Sequence, residues 1–138
     1  MIWGGTVWAV TLWTNGRRPY LTGSSAPTGR GPTPWSLVHR EWQAVGTRIP
    51  AIVLGDIVVL PDRLRALLYL AAGVSTDILR PALAGFMARS DSRLGGRAGK
   101  LWDPAVECVR VESPFELILW QRRLRASAPG LSRAPPAA

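Results

Sequence analysis

The sequence is poor in cysteine and histidine, and this shortage excludes several kinds of site. Cys108 and His39 are the only residues of their types in the 138-residue chain. A disulfide within the chain is therefore impossible, and one chain cannot supply the four Cys or His ligands that a structural zinc ion usually takes. We predict no metal and no other cofactor.

Groups for catalysis are equally sparse. The one cysteine-nucleophile arrangement available would pair Cys108 with His39. Cys108 lies in a stretch that predicts a strand, where a cysteine commonly serves as a small buried hydrophobe. Glu116 is accounted for by a helix cap, and Glu107 and Glu112 by exposed strand positions. The sequence therefore predicts a protein that is not an enzyme.

Lysine is almost missing, since Lys100 is the sole lysine among 17 Lys and Arg residues. The formal net charge is +8, which in general favours a polyanionic partner such as nucleic acid or an anionic membrane. The abundance of Arg, Ala, Gly and Pro would also follow from a GC-rich coding sequence, and the charge would then be only a solvated basic surface. Both interpretations stay open on composition alone.

Apolar runs long enough for a membrane helix are also missing. Residues 2–13 fall short of the roughly 20 residues that a span needs. The Leu- and Ala-rich window 64–88 contains the charged residues Arg65, Asp77 and Arg80. No basic residue precedes the first apolar run, which is unlike a secretory signal. The sequence predicts a cytoplasmic location.

The N-terminus is rich in tryptophan and β-branched residues. Residues 6–14 have strand composition, and Asn15-Gly16 then favours a type I′ turn. Residues 17–22 are predicted to return as a second strand, which gives a loosely attached, Trp-rich hairpin. Gly, Pro and Ser dominate 23–33, so we assign 1–32 to a hairpin and linker. The tryptophans suit packing in a core or an interface, which includes self-association or a protein partner.

Residues 33–126 are predicted to form one domain, followed by a disordered tail at 127–138. Strands are expected at 6–14, 51–60 and 105–111, where Gly55-Asp56 marks either a hairpin turn or a bend. Helical patterns begin at Thr33-Pro34, Pro61-Asp62 and Ser113-Pro114. A further helical pattern follows a Ser75 cap, and Pro81 either begins that helix or kinks it. The predicted fold class is α+β, with a small mixed or antiparallel sheet packed by about four helices.

One short phrase has the pattern of a DNA-binding turn. Ala72-Gly73-Val74-Ser75 lies between two helical patterns and resembles the turn of helix-turn-helix domains in bacterial repressors. The resemblance implies that the second helix enters the major groove, with Thr76, Asp77 and Arg80 facing the DNA.

Three arginines close the last predicted helix, one turn after Trp120. Arg122, Arg123 and Arg125 complement the negative end of the helix dipole. The same residues could also contact a nucleic acid or an anionic lipid surface.

These observations favour a small non-enzymatic protein of binding or accessory type. The alternative is a DNA-binding regulator that uses the helix-turn-helix-like segment 64–88, although Tyr69 crowds its corner and Pro81 interrupts its second helix. A third hypothesis is attachment to an anionic membrane through the C-terminal helix. The candidate nucleic-acid-binding residues are Thr76, Arg80, Arg122, Arg123 and Arg125.

Overall fold

A computed structural model describes residues 5–21, 33–94 and 101–127. The strands in these ranges are β1 (Thr6–Thr14), β2 (Ile52–Leu60), β3 (Arg63–Leu70) and β4 (Trp102–Val111). The helices of more than one turn are α1 (Pro34–Arg48), α2 (Leu79–Arg93) and α3 (Pro114–Ser127). Short 3₁₀ turns lie at Asn15–Arg17 and Thr76–Ile78.

The four strands form one antiparallel sheet in the order β2-β3-β1-β4. The first six elements follow one another as β-α-β-β-α-β, which is the split βαβ arrangement of ferredoxin-like folds. β1 and β3 are the two central strands, so residues from distant parts of the chain meet there in register. α3 is an addition after the sixth element.

The two faces of the sheet are packed differently. Helices α1 and α2 cover one face, which we call the two-helix face, and their apolar side chains join the larger core. Its largest fully buried side chains include Trp42 of α1 and Phe86 of α2, in edge-to-face contact with ring centroids 5.1 Å apart. Helix α3 packs on the other face, the α3 face, over a smaller cluster made by Val7, Ala9, Val58, Leu67, Val111 and Leu124.

The fold is α+β, but the prediction of about four helices is wrong. The segment predicted to be a helix from Pro61-Asp62 is the strand β3, paired on both sides. Leucines in this segment satisfy helical spacing, but even-numbered residues such as Leu64 and Leu68 alternate with Arg63 and Arg65. In a central strand, this alternation sends one set to each face of the sheet. The described residues therefore contain three α-helices.

The prediction of a loose N-terminal hairpin is also wrong. Residues 6–14 form a strand as predicted, but β1 pairs with β3 and β4 rather than with a returning strand. After the 3₁₀ turn the chain leaves the sheet, and the Leu21 N–H donates to the Pro61 carbonyl at 2.9 Å. Gly16 and Arg17 take positive φ angles of 66° and 54° there. A glycine adopts such an angle without steric cost, whereas it is uncommon for a residue such as Arg17.

The segment 51–60 is one bent strand, which was the alternative to a hairpin. Its pairing with β3 shifts register between Leu54 and Ile57, so Gly55 and Asp56 form a bulge. A Cβ at Gly55 would lie 2.5 Å from the Tyr69 ring, so a larger residue there would have to displace that ring. The tight turn of this hairpin lies instead at Pro61-Asp62, between β2 and β3.

Some predictions fall on residues that the structure does not describe. Residues 22–32 of the linker and 128–138 of the tail lie outside the described residues. The division of the chain at residues 32 and 33 therefore stays a prediction. Within the described part of the chain, no helix has the length and apolar character to cross a membrane.

Candidate nucleic-acid interface

Helix α3 covers only part of the α3 face of the sheet. The uncovered part carries aromatic and charged side chains. Odd-numbered residues of β1, β3 and β4 point to this face, and the strand register places Glu107, Thr11 and Arg65 side by side across three strands. Trp13 and Arg63 form the next pair along. We call this surface the tryptophan–arginine patch, and we define it by Trp13, Arg17, Arg63, Arg65, Glu107, Trp120 and Arg123.

Trp13 is surrounded by two arginines and one carboxylate. The guanidinium carbons of Arg17 and Arg63 lie 4.0 and 4.9 Å from its ring centroid, which is cation–π distance. Its indole N–H donates to Glu107 Oε2 at 3.3 Å. Asp62 accepts from Arg63 at 2.9 Å and fixes the position of that guanidinium. The Trp13 ring is thereby held in place while it stays partly exposed.

Trp120 forms a second aromatic–arginine unit on the rim of α3. The guanidinium carbon of Arg65 lies 5.5 Å from its ring centroid, and that of Arg123 lies 5.4 Å from it. Trp120 also packs against the apolar cluster beneath α3. Arg65 therefore connects the sheet surface to the helix, and its neighbours make the patch continuous across the two elements.

Positive charge is concentrated at Arg65. Burial lowers the pKa of Arg65, and the like charges of Arg63 and Arg123 lower it further, while Glu107 acts in the opposite direction. The patch contains four arginines and the carboxylate of Glu107, and the adjacent Asp62 is paired with Arg63. Positive charge thus exceeds negative charge at this surface, and an anion placed near Arg65 would relieve the repulsion among the arginines.

The five residues predicted to bind nucleic acid do not lie together. Thr76 and Arg80 line a cleft between α2 and β4, whose wall also includes Trp8 and Cys108. This cleft opens at the edge of the sheet, away from the tryptophan–arginine patch. The helix-turn-helix geometry is wrong, because a strand, β3, replaces its first helix. Pro81 lies in the first turn of α2, where a proline fits a helix well.

The three C-terminal arginines of α3 point in different directions. Arg123 contacts Trp120 and belongs to the patch. Arg125 forms an ion pair with Asp56 at 3.2 Å, on the other side of α3. Arg122 is exposed. Of the five predicted residues, Arg123 alone is among those that define the patch.

The sequence reasoning missed Trp13, Arg17, Arg63, Arg65 and Glu107 as site residues. Arg63 and Arg65 were assigned to a helix, where residues two apart point in different directions. A signal was present, since Arg63 and Arg65 alternate with Leu64 and Ala66 as in a strand with one polar face. No local pattern, however, indicates that Trp13, Arg65 and Glu107 meet, because the sheet register alone brings them together.

The two residues considered for nucleophilic chemistry are on different elements. Cys108 is exposed on β4 rather than buried. It still lines the cleft beside α2, and the partial desolvation of its thiol there raises its pKa. His39 lies on α1, in tilted contact with the Trp35 ring at 4.1 Å between centroids, and burial lowers its pKa. Among the described residues, no group of three or more His, Cys, Asp or Glu side chains is placed to hold a metal ion.

A four-stranded antiparallel sheet that exposes aromatic and arginine side chains on one face is an arrangement found in nucleic-acid-binding modules. Two solved structures share the fold of this chain. A REP-associated tyrosine transposase bound to a REP hairpin matches with a TM-score of 0.57 and 18% identity over 90% of this chain. A transposase assigned in Deinococcus radiodurans matches with a TM-score of 0.57 and 17% identity over 88% of this chain.

The extent of each match differs. The chain spans 64% of the length of the REP-associated transposase and 90% of the Deinococcus protein. No protein-family model matches the chain, and no curated protein matches it significantly. At this identity the likeness defines the fold.

The comparison corrects the expectation that the protein is not an enzyme. Both structural neighbours are named as transposases, which are enzymes, so this fold is one that enzymes use. A missing catalytic constellation in the sequence is therefore no ground for excluding catalysis.

Proposed function

We propose that this protein binds DNA that contains a hairpin or unpaired bases, and that the tryptophan–arginine patch is the binding surface. The observation that carries the proposal is the interleaving of two tryptophans with four arginines on one surface, which the open sheet face, the adjoining 3₁₀ turn and the rim of α3 form together. Arginines would contact phosphates, and the tryptophan rings would contact bases.

Electrostatics support a phosphate ligand at the centre of the patch. Arg65 is the arginine whose pKa its burial and its positive neighbours lower. A phosphate beside Arg65 would replace this repulsion with attraction, and a guanidinium can donate two parallel hydrogen bonds to it. The overall charge of +8 adds a long-range attraction for any polyanion.

The tryptophans support unpaired bases rather than duplex alone. Stacking of a base on an aromatic side chain requires an exposed base face, which a paired and stacked duplex does not offer. Trp13 and Trp120 are both partly exposed, and an arginine that turns from the ring to a phosphate would free a ring face for a base. A hairpin offers phosphates along its stem and unpaired bases in its loop or tails.

One structural neighbour supports the same ligand class. The REP-associated transposase was solved with a REP hairpin bound. We transfer the ligand class, a nucleic-acid hairpin, and leave its sequence open. Thr76, Arg80, Arg122 and Arg125 stay predicted contacts outside the patch.

The proposal is tested by the affinity for a fluorescent DNA hairpin with a single-stranded tail, measured by anisotropy at several salt concentrations. The double variant Arg63→Ala/Arg65→Ala should lose at least about tenfold in affinity, and its log–log salt slope should fall by roughly 2. In the wild-type protein, each of these two arginines would neutralise a phosphate and release a counterion from the DNA.

Arg40→Ala is the matched control. Arg40 is exposed on α1, on the opposite side of the molecule from the patch. Its removal lowers the net charge by the same type of residue without touching the patch. If Arg40→Ala lowers the affinity as much as Arg65→Ala alone does, only net charge matters. A wild-type protein that does not bind the hairpin at about 50 mM salt would contradict the proposal.

A further inference from the structure

Glu107 is an unusual residue to find in a surface of arginines. It is exposed on β4, an edge strand, and in register it lies opposite Thr11, which in turn lies opposite Arg65. The Trp13 indole N–H holds its Oε2 at 3.3 Å. Among the described residues, no arginine comes within 4.0 Å ion-pair distance of its carboxylate.

A carboxylate at this position opposes phosphate binding. Its negative charge lies on the same face as the arginines and would repel a DNA backbone that passes close to it. Its one described hydrogen bond comes from Trp13 and fixes its place beside an aromatic ring. Glu107 is exposed, so its carboxylate is accessible to a ligand while Trp13 holds Oε2 in place. These properties suit contact with a base edge rather than with a phosphate.

Of the four DNA bases, guanine fits a carboxylate best. Its Watson–Crick edge presents two adjacent N–H donors, N1–H and the N2 amino group, and an ionised carboxylate accepts two parallel hydrogen bonds. Cytosine and adenine present one amino donor beside a ring acceptor, and thymine presents one N–H between two carbonyls. These groups place acceptors next to the carboxylate, which repel it.

We propose that Glu107 is a specificity-determining residue that selects an unpaired guanine in the DNA bound at the tryptophan–arginine patch. This inference rests on the proposed function and adds a base preference to it. Arginines in the patch hold the backbone, and Glu107 reads one base beside Trp13. The guanine must be unpaired, because pairing with cytosine occupies the same N–H groups.

The test compares hairpins that differ in one base of a single-stranded thymine tail. The tail is scanned with a single guanine at each position, and affinity is measured by fluorescence anisotropy. Wild type should bind the best guanine-containing tail about five- to tenfold more tightly than the all-thymine tail. Inosine lacks the N2 amino group and should lose part of this gain.

Glu107→Gln separates base selection from electrostatics. The variant should lose the guanine and inosine preferences, and its affinity for the all-thymine tail should increase because one repulsive charge is gone. Glu112→Gln removes a charge from an exposed residue just after β4 and should keep the preference. If Glu107→Gln strengthens every tail equally and keeps the ranking, Glu107 only repels phosphate and the inference is overturned alone. If wild type binds no tail, the proposed function fails and this inference fails with it.

Discussion

The two sides of this molecule use arginine in opposite ways. On the two-helix side, Arg48 of α1 and Arg89 and Arg93 of α2 converge on the buried carboxylate of Glu41. On the α3 side, the arginines of the tryptophan–arginine patch lie against the faces of Trp13 and Trp120. One cluster has its counter-charge inside the protein, and the other leaves most of its charge available to a ligand.

This difference shows why net charge alone does not locate a binding surface. Glu41 is 4% exposed, and its ion pairs with three partly exposed arginines join the two helices. In the patch, aromatic rings, which carry no net charge, lie beside the guanidinium groups, and Arg63 is also paired with Asp62. The first cluster serves the stability of the fold, and the second has the composition of an interface.

The largest effect is expected from the apolar core between the two helices. Phe86 is fully buried and contacts Trp42 and Trp102, with ring centroids 5.1 and 5.7 Å away. Phe86→Ala should lower the free energy of unfolding by about 3–5 kcal/mol, because it leaves a cavity. Urea unfolding followed by circular dichroism measures this loss. A loss below about 1 kcal/mol would mean that the site is not packed as described.

A smaller loss of stability is expected when the arginines around Glu41 lose its charge. Glu41→Gln removes the charge that Arg48, Arg89 and Arg93 share, and should lower the free energy of unfolding by about 1–3 kcal/mol. These arginines are partly exposed and can turn to water, which limits the cost. Glu112→Gln, at an exposed residue, is the control and should change stability by less than about 0.5 kcal/mol. DNA affinity should be unchanged in both variants, and a large loss of affinity in Glu41→Gln would break the distinction between the two clusters.

On the α3 side, the expected effect is on binding and not on stability. Trp13→Ala should weaken binding of a tailed DNA hairpin by about 1–3 kcal/mol, the usual value of one stacked base. Trp35→Ala, on the outer part of α1, removes a tryptophan of similar partial exposure and should leave affinity unchanged. If the two variants lose equal affinity, the binding surface has been assigned to the wrong face.

The smallest expected effect is a pH dependence of the stability, which arises from His39 on the two-helix side. Burial lowers the pKa of His39 in the folded protein below its ordinary value of 6.5. The unfolded chain therefore binds a proton that the folded protein does not, so stability is full above pH 6.5 and falls as the pH drops below it. Unfolding of His39→Gln over the same pH range should lack this decrease. A decrease of equal size in the variant would assign it to carboxylates instead.

Much of the fold could be predicted from local chemistry, and the interface could not. The β-branched and aromatic composition of 6–14 identified β1, and Thr33-Pro34 and Ser113-Pro114 identified the starts of α1 and α3. β3 was missed because its leucines satisfy helical spacing as well as strand alternation. Since the patch is built across β1, β3 and β4, the error at β3 also hid Arg63 and Arg65.

The position of Trp13 illustrates the limit of sequence reasoning most clearly. It was predicted to lie in a loose hairpin, but β1 is a central strand, and that placement brings Trp13 beside Arg63 and Glu107. These residues are 50 and 94 positions away along the chain. Long-range pairing of this kind is set by which strand edges meet, and no short pattern around Trp13 encodes it.

The most direct test of the central claim is to follow the indole N–H resonances of the tryptophans by ¹⁵N–¹H NMR while a tailed DNA hairpin is added. Trp13 and Trp120 should shift first, because bases and phosphates would contact their rings. Trp42 and Trp102, which are 1% and 3% exposed, should stay in place. Shifts at Trp8 and Trp35, with Trp13 and Trp120 unmoved, would show that DNA binds elsewhere and would contradict the assignment of the tryptophan–arginine patch.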